Sequence, residues 1–291
     1  MDDLGQAPVG VQDQPRAAEA RRTLGARGGA VDPRVAQHRH GVTRRSVLAF
    51  AGVGLLAACA GRAARAQDAP AAAPRVLVFS RTTGFRHDAI PAAVAAVRQL
   101  GDEHGFAVDA TEDPTAFDDA RLAPYAAVVF LLTTGDVLDA DGRAAFERYV
   151  RAGHGYVGVH SATDTEYGWA WYGELVGAQF AAHPAIQSAL VRVEDAAHPS
   201  TAGLPDPWLR TDEWYDFRAN PRGRVHVLLA VDEASYRGGG MGVDHPIAWY
   251  HAHDGGRAWY TAMGHTEESY RDPAFLGHLL GGIQWAAGLA G

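Results

Sequence analysis

Beyond residue 75, the first half of the chain alternates apolar runs with helical stripes. Residues 76–79 form a continuous apolar run, as a strand buried on both faces requires. Apolar residues then recur at helical spacing over residues 90–100. The order of strand, loop and helix repeats, with further strands predicted at residues 106–110, 125–132 and 155–160. This repetition predicts a mostly parallel sheet with right-handed crossovers, whose carboxyl ends would line a ligand site.

The second half of the chain has a different pattern. Short β-like runs occur at residues 188–193, 225–231 and 247–251. The last of these is predicted to pair with residues 258–263 through a Gly-rich hairpin connection. A closing helix is predicted at residues 272–287. We therefore predict one α/β domain, with a parallel core flanked by helices and antiparallel additions in its C-terminal half.

The first 66 residues do not fit this domain. They contain ten Arg and lack apolar periodicity until a short, small-residue run at 47–60, which is too short to span a bilayer. The Arg44-Arg45 pair just before that run resembles a twin-arginine export signal. We therefore predict an export signal at residues 1–66, an Ala/Pro linker at 67–74 and the folded domain at 75–289.

Two ways of processing this leader remain open. Residues 56–59 resemble a lipobox, which would make Cys59 a lipid-bearing N-terminus, whereas residues 64–66 fit an ordinary small-x-small cleavage site. The protein is thus expected to be periplasmic or a membrane-anchored lipoprotein. Because Cys59 is the only cysteine, the domain has no disulfide, no thiolate metal site and no Cys nucleophile.

Charge limits the partners and the chemistry. All 26 basic residues are Arg, which excludes a lysine Schiff base. Residues 67–291 hold 16 Arg and 29 acidic side chains, a formal net charge of −13. Such a domain repels phosphate backbones, so nucleic acid is not an expected partner. Membrane contact would come only through a lipid on Cys59.

The run of residues 155–165 contains the first candidate site. An apolar strand ends there in a turn that carries His160, Ser161 and Asp164. In α/β hydrolases and amidotransferases the corresponding residue is a Ser or Cys nucleophile, whereas here it is His160. A catalytic triad of these three residues is disfavoured, because residues this close on one turn rarely meet in triad geometry.

Histidines supply the second signal. Twelve of the 14 follow residue 66. Six lie near Gly or Pro in predicted loops: His87, His160, His183, His198, His245 and His265. A single loop His is more often solvated than a ligand, but several imidazoles converging near Glu213 would suit Zn²⁺ or a similar divalent ion. The predicted metal ligands are His87, His160, His183 and His265.

Two further patterns remain ambiguous. Glu213 lies among aromatic residues that could raise its pKa for general-acid use, although an ordinary acidic loop explains the pattern equally well. His251 and His253 alternate on one strand face, either as a ligand pair or, as we favour, as the polar face of an edge hairpin. The predicted catalytic residues are His160, Glu213, Asp164 and Ser161.

A set of motifs then resembles a known family. They are Thr83-Gly84-Phe85-Arg86-His87, Gly158-Val159-His160-Ser161-Ala162-Thr163-Asp164, His198-Pro199, Asp212-Glu213-Trp214-Tyr215, Pro246-Ile247-Ala248-Trp249, Gly256-Arg257-Ala258-Trp259-Tyr260, Met263-Gly264-His265 and Ile283-Gln284-Trp285-Ala286. Over residues 75–288 the chain resembles the ThuA-like (trehalose utilisation) family. The resemblance implies a flavodoxin-related, class I glutamine amidotransferase-like fold. Amidotransferase activity is not implied, because His160 occupies the elbow Cys position.

The resemblance also implies a function in disaccharide and glycoside metabolism, often beside sugar dehydrogenases that make 3-keto sugars, and a divalent metal in some members. The residues that match the polar motifs of the family are His87, His160, Ser161, Asp164, Glu213 and His265. Our leading hypothesis is an exported, metal-dependent hydrolase or lyase that acts on a small carbohydrate, with a sugar dehydrogenase in the same pathway.

Two alternatives remain open. One is a non-catalytic carbohydrate-binding or accessory module that stacks sugars on Trp169, Trp171 and Trp214. The other is a glycosidase with two carboxylates, which would need a pair of them about 5 or 9 Å apart across a cleft.

Overall fold

The apolar runs form the strands of one large sheet in the computed structural model, which describes residues 73–290. The strands are β1 (Arg75–Phe79), β2 (Ala107–Thr111), β3 (Tyr125–Leu131), β4 (Gly155–Val159), β5 (Phe180–Ala182), β6 (Gln187–Val193), β7 (Trp208–Asp212), β8 (Asp216–Phe217), β9 (His226–Val231), β10 (Pro246–His253) and β11 (Gly256–Thr261). Nine of them form a sheet of order β2-β1-β3-β4-β11-β10-β9-β6-β7, and β5 pairs with β8. The predicted export signal and Cys59 lie outside the described residues.

Strand direction divides the sheet into two halves. The strands β2, β1, β3, β4 and β11 are parallel, with Val78 opposite Val129 and Val157 opposite Trp259 in the register. The strands β10, β9, β6 and β7 continue the sheet in antiparallel pairs. The predicted α/β fold, with a mostly parallel core and antiparallel additions, is confirmed.

Helices cover the parallel half, as its buried strands require. They are α1 (Ile90–His104), α2 (Asp119–Leu122), α3 (Ala140–Arg151), α4 (Ala170–Val176) and α5 (Pro273–Ala286). Asp139 caps α3 through Gly142 N, at 2.8 Å, and Gly105 ends α1 in the left-handed region at φ 78°. Among residues 73–290, no helix is both long and apolar enough to cross a membrane.

The direction of the strands determines where the site lies. Parallel strands β1, β4 and β11 end at one edge of the sheet, and the antiparallel alternation makes β7 run in the same direction as β11. Three strands separate β7 from β11, yet Asp212 at the end of β7 accepts hydrogen bonds from Gly264 N and His265 N. The antiparallel half therefore curves back, and the end of β7 meets the loop after β11.

One expectation about the hairpin is wrong. Strands β10 and β11 form the predicted pair, but β10 lies inside the sheet, between β11 and β9. His251 is consequently buried and its Nε2 donates to the Glu174 carbonyl at 3.2 Å, while the His253 ring packs edge-on against Trp171. These two histidines do not form the polar face of an edge hairpin.

Candidate functional site

His160 occupies a sharp turn directly after β4. Its φ is +52°, in the left-handed region that is uncommon for residues other than Gly, although Asn, Asp and His adopt it more often than the rest. A Cβ at Gly158 would lie only 3.2 Å from Cβ of Ala162. The turn can therefore close this tightly because the residues on either side of it are small. The hydroxyl of Tyr260 donates to the His160 carbonyl at 2.8 Å. This is the strained strand-to-helix elbow on which related folds present a nucleophile.

The His160 ring has a defined orientation. Its Nδ1 lies 2.7 Å from the Ala262 carbonyl, which can only accept, so Nδ1 carries a proton. In a neutral ring, Nε2 then has the lone pair, and this atom points into the cluster rather than toward the core. A backbone carbonyl that holds Nδ1–H in this way is the usual support for an imidazole ligand.

Three atoms with lone pairs converge at the end of β4. Nε2 of His160 lies 3.1 Å from Nδ1 of His265 and 3.4 Å from Oε2 of Glu213, and Nδ1 of His265 lies 3.1 Å from the same oxygen. Both His160 and Glu213 are buried. One proton can join only two of these atoms, so the third faces a neighbour without a hydrogen between them.

His87 completes the group. Its ring packs edge-on against the rings of His160 and His265, with centroids 4.9 and 5.1 Å away. His87 offers a nitrogen within 4.8 Å of the ligand atoms of the other three residues. It is buried, and its Nδ1 has no hydrogen-bond partner among the described residues.

The members of the cluster differ in the direction in which their pKa values are shifted. Burial, with the charges of His160 and His265, lowers the pKa of His87 to about 3, so its ring is neutral. Burial raises the pKa of Glu213, but contacts with His160 and His265 lower it more, leaving it below its usual range. Burial lowers the pKa of His265. Its hydrogen bond to Glu213 and the charge of that carboxylate raise the pKa by more, so the net change is an increase.

Asp212 fixes two of the loops that form the cluster. Its buried carboxylate accepts from the backbone nitrogens of Glu213, Gly264 and His265 at 2.9–3.1 Å. Arg210, also buried, donates to the same carboxylate through Nε and Nη2 at 3.1 and 3.0 Å. Neither residue was singled out from the sequence for this positioning function.

His183 lies at the mouth of the site rather than inside it. Its ring is 40 % exposed, and Nδ1 lies 3.0 Å from both the Pro184 carbonyl and Oε1 of Glu213. Both neighbours are acceptors, so Nδ1 is the protonated nitrogen and Nε2 is free. His183 thus contacts the outer oxygen of Glu213, whereas His160 and His265 contact the inner one.

A cleft of about 400 Å³ opens onto this cluster. Its walls are formed by Phe85, His87, Asp164, Phe180, His183, Glu213, Tyr215 and His265. Asp164 accepts a hydrogen bond of 2.6 Å from the Tyr167 hydroxyl at the cleft wall. Ser161, in contrast, is fully buried, and its hydroxyl has no partner among residues 73–290. The structure therefore gives Asp164 access to a ligand and gives Ser161 none.

The remaining loop histidines are outside the cluster. Nδ1 of His198 lies 2.8 Å from the Ser200 hydroxyl, in the core. His245 is buried with Glu233 2.8 Å from Nδ1 and Asp216 4.0 Å from Nε2. The three residues bring ligand atoms within 4.8 Å of one another, as a second group. Both His245 nitrogens already have protein partners, the Tyr236 hydroxyl at 3.1 Å and the Tyr215 carbonyl at 2.9 Å, so this group ties its loop to the neighbouring segments.

The tryptophans do not form the sugar-stacking surface that one alternative required. Trp214 is fully buried, with Nε1 donating to the Gln187 carbonyl, and Trp169 is 9 % exposed. Trp171 stacks on Trp169 with centroids 5.1 Å apart and is not part of the cleft wall. The idea that these three residues stack sugars is therefore wrong. The aromatic walls of the cleft come from Phe85, Phe180 and Tyr215 instead.

Comparison with known sequences agrees with the fold and the motifs. The family model described as ThuA, trehalose utilisation, matches residues 75–286. The chain belongs to the ThuA family. This membership confirms the resemblance and associates the domain with carbohydrates at the level of the family. No curated protein matches the sequence of this ThuA protein.

Solved structures agree with this assignment. A protein described as ThuA-like from Bacteroides uniformis ATCC 8492 is 27% identical, with a TM-score of 0.63, and the match covers 76% of this chain and 94% of the other. A second one, from Parabacteroides merdae ATCC 43184, is 20% identical with a TM-score of 0.61, covering 74% and 90%. This second likeness supports the ThuA fold alone.

Proposed function

We propose that this ThuA protein is an exported enzyme that acts on a small carbohydrate and binds a divalent metal through His87, His160, Glu213 and His265. The observation that carries the proposal is the convergence of Nε2 of His160, Nδ1 of His265 and Oε2 of Glu213, at mutual distances of 3.1–3.4 Å. These atoms share one proton, and a cation would satisfy all three at once.

The spacing of these atoms supports a zinc-like ion. Tetrahedral zinc with bonds of about 2.0–2.1 Å separates its ligand atoms by about 3.3–3.4 Å, close to the distances present. Three imidazoles and one carboxylate favour Zn²⁺ or a similar transition metal over Mg²⁺ or Ca²⁺, which prefer oxygen ligands. The Ala262 carbonyl behind His160 and His183 Nδ1 behind Glu213 are supports of the kind that metal ligands have.

A metal here would supply a Lewis acid able to polarise a substrate carbonyl or hydroxyl. The protein's own groups supply binding and proton transfer. With the hydrogen of a neutral ring on Nδ1, the partly exposed Nε2 of His183 is the atom that would accept a proton from a substrate hydroxyl. Asp164, held by Tyr167, is in the cleft wall, where its carboxylate can orient sugar hydroxyls.

Export and pathway belong to the same proposal. The Arg44-Arg45 pair and the apolar run after it support export, with either a lipid anchor at Cys59 or cleavage after Ala66. The resemblance of the motifs supports a sugar dehydrogenase as the source of an oxidised sugar, whose carbonyl the metal could polarise.

The test is turnover by the full chain with and without metal. We expect methyl glycosides or their 3-keto derivatives to be cleaved after addition of Zn²⁺ or Mn²⁺ and not after EDTA treatment, as judged by chromatography of the products. In Glu213→Gln the carboxylate is lost, so turnover should fall by at least about a hundredfold. Ser161→Ala, away from the cleft, is the control. Binding of the sugars without any turnover would contradict the enzyme proposal and favour an accessory module.

A further inference from the structure

Phe85 is an unusual residue for its position. It is 65 % exposed, one of a few large apolar side chains on the surface of residues 73–290, and it forms part of the cleft wall beside His87. Its ring meets the His87 ring edge-on, with centroids 4.9 Å apart. Exposed apolar side chains at the mouth of a polar cavity often mark a ligand contact.

The loop that carries Phe85 is held firmly. The Thr134 hydroxyl donates to the Phe85 carbonyl at 2.7 Å, and Thr83 N donates to the Thr134 carbonyl at 2.9 Å. A Cβ at Gly84 would lie 3.3 Å from Thr134 Oγ1, so even a methyl group there would press on this contact. Arg86, the next residue, forms a two-pronged ion pair with Glu112. The exposure of Phe85 is therefore set by the anchored backbone and not by a loose loop.

Two other aromatic rings line the cleft with Phe85. Phe180 and Tyr215 pack against each other with centroids 4.3 Å apart, and Tyr215 also covers the His160 ring at 4.3 Å. We call Phe85, Phe180 and Tyr215 the aromatic rim. The rim is mostly apolar, whereas the floor is formed by Glu213, His87 and His265. The cleft therefore fits a ligand with a flat apolar face and polar edges.

A pyranose ring has this distribution of polarity, because its axial C–H bonds form apolar faces while its hydroxyls project from the edge. An open-chain polyol has the same hydroxyls and no fixed apolar face. We propose that Phe85 binds the C–H face of a pyranose ring and makes the site selective for cyclic carbohydrates. This inference rests on the proposed function and narrows its substrate class.

The test compares ring and open-chain ligands on the full chain loaded with Zn²⁺. The probes are the methyl α-pyranosides of glucose, galactose and mannose and, as the open-chain ligand, sorbitol, all measured by calorimetry. We expect at least one pyranoside to bind the wild type more tightly than sorbitol. Phe85→Ala should weaken that pyranoside about tenfold and leave sorbitol unchanged. Phe85→Tyr, which keeps the ring, should bind as the wild type does.

Leu209→Ala is the matched control, since Leu209 is 69 % exposed and lies outside the cleft wall. Three results would overturn the inference. They are equal pyranoside affinity in Phe85→Ala and the wild type, equal affinity of the wild type for sorbitol and for the pyranosides, and no pyranoside binding at all. The zinc content of each sample is measured in parallel. With a normal zinc content, the first two results refute the binding by Phe85 alone, whereas the absence of any pyranoside binding also refutes the carbohydrate site. A wild type without zinc refutes the metal site.

Discussion

Exchange of His160 for Asn is expected to lower the affinity of the chain for Zn²⁺ by at least about a hundredfold while the fold persists. Zinc sites with four protein ligands are worth roughly 10–16 kcal/mol, or about 3 kcal/mol per ligand, which corresponds to about a hundredfold. Asn tolerates the left-handed backbone at φ +52° better than most residues, so the elbow should remain. Competition with a chelating dye measures the affinity.

His183→Asn is the control for this exchange. His183 contacts only the outer oxygen of Glu213, so its loss should weaken zinc binding about tenfold, at the lower end of the range for a group that supports a ligand. Thermal unfolding gives a second readout, because added zinc should raise the melting temperature of the wild type and not of His160→Asn. A larger loss of affinity in His183→Asn than in His160→Asn would contradict the assignment of the ligands.

Exchange of Arg210 for Met is expected to lower the free energy of unfolding by about 3–5 kcal/mol. The Arg210 side chain is 4 % exposed and Asp212 is 0 % exposed, so the exchange leaves a buried carboxylate without its cation. Because Asp212 holds Glu213 and His265 through their backbone nitrogens, zinc affinity should also fall, by roughly 10–100-fold. Urea unfolding of the metal-free chain and a zinc titration measure the two effects.

Arg222→Met provides the comparison. Like Arg210, Arg222 forms ion pairs with carboxylates. Its partners are Glu194 and Asp244, but its side chain is 40 % exposed. An exposed pair contributes little, so this variant should lose no more than about 1 kcal/mol. Equal losses in Arg210→Met and Arg222→Met would mean that the buried Asp212 carboxylate does not depend on Arg210 as its partner. Unchanged zinc affinity in Arg210→Met would refute its positioning function.

The parallel half of the fold could be predicted from the sequence because its strands are continuous apolar runs. The same pattern located three site residues. His87, His160 and His265 each follow an apolar strand, and parallel strands end at one edge. The structure brings all three together, with Glu213, into one group.

Strand β7 could not be predicted, because its periodicity is inverted. The side chains that point inward are Trp208, Arg210 and Asp212, whereas Leu209 is 69 % exposed. Hydrophobic alternation therefore indicates the wrong face, and the segment resembles an acidic loop. The inward-facing pair Arg210 and Asp212 positions Glu213. The same two residues therefore obscure the strand pattern in the sequence and support the site.

The predicted set of four histidine ligands included His183, which the structure places at the mouth of the cleft. His183 lies in a loop near Gly or Pro like the members of the cluster, and no local spacing distinguishes it from them. The difference arises from the curvature of the antiparallel half, which brings the end of β7 to the loop after β11. His198 and His245 remain outside because their loops pack elsewhere.

In the proposed site, His87, His160, Glu213 and His265 bind one metal ion. Zinc-edge X-ray absorption on the full chain loaded with one equivalent of Zn²⁺ tests it most directly. We predict a four-coordinate ion with bonds of about 2.0–2.1 Å, multiple scattering from three imidazoles and one oxygen ligand. A spectrum without imidazole scattering, or a six-coordinate ion surrounded by oxygen alone, would contradict the account.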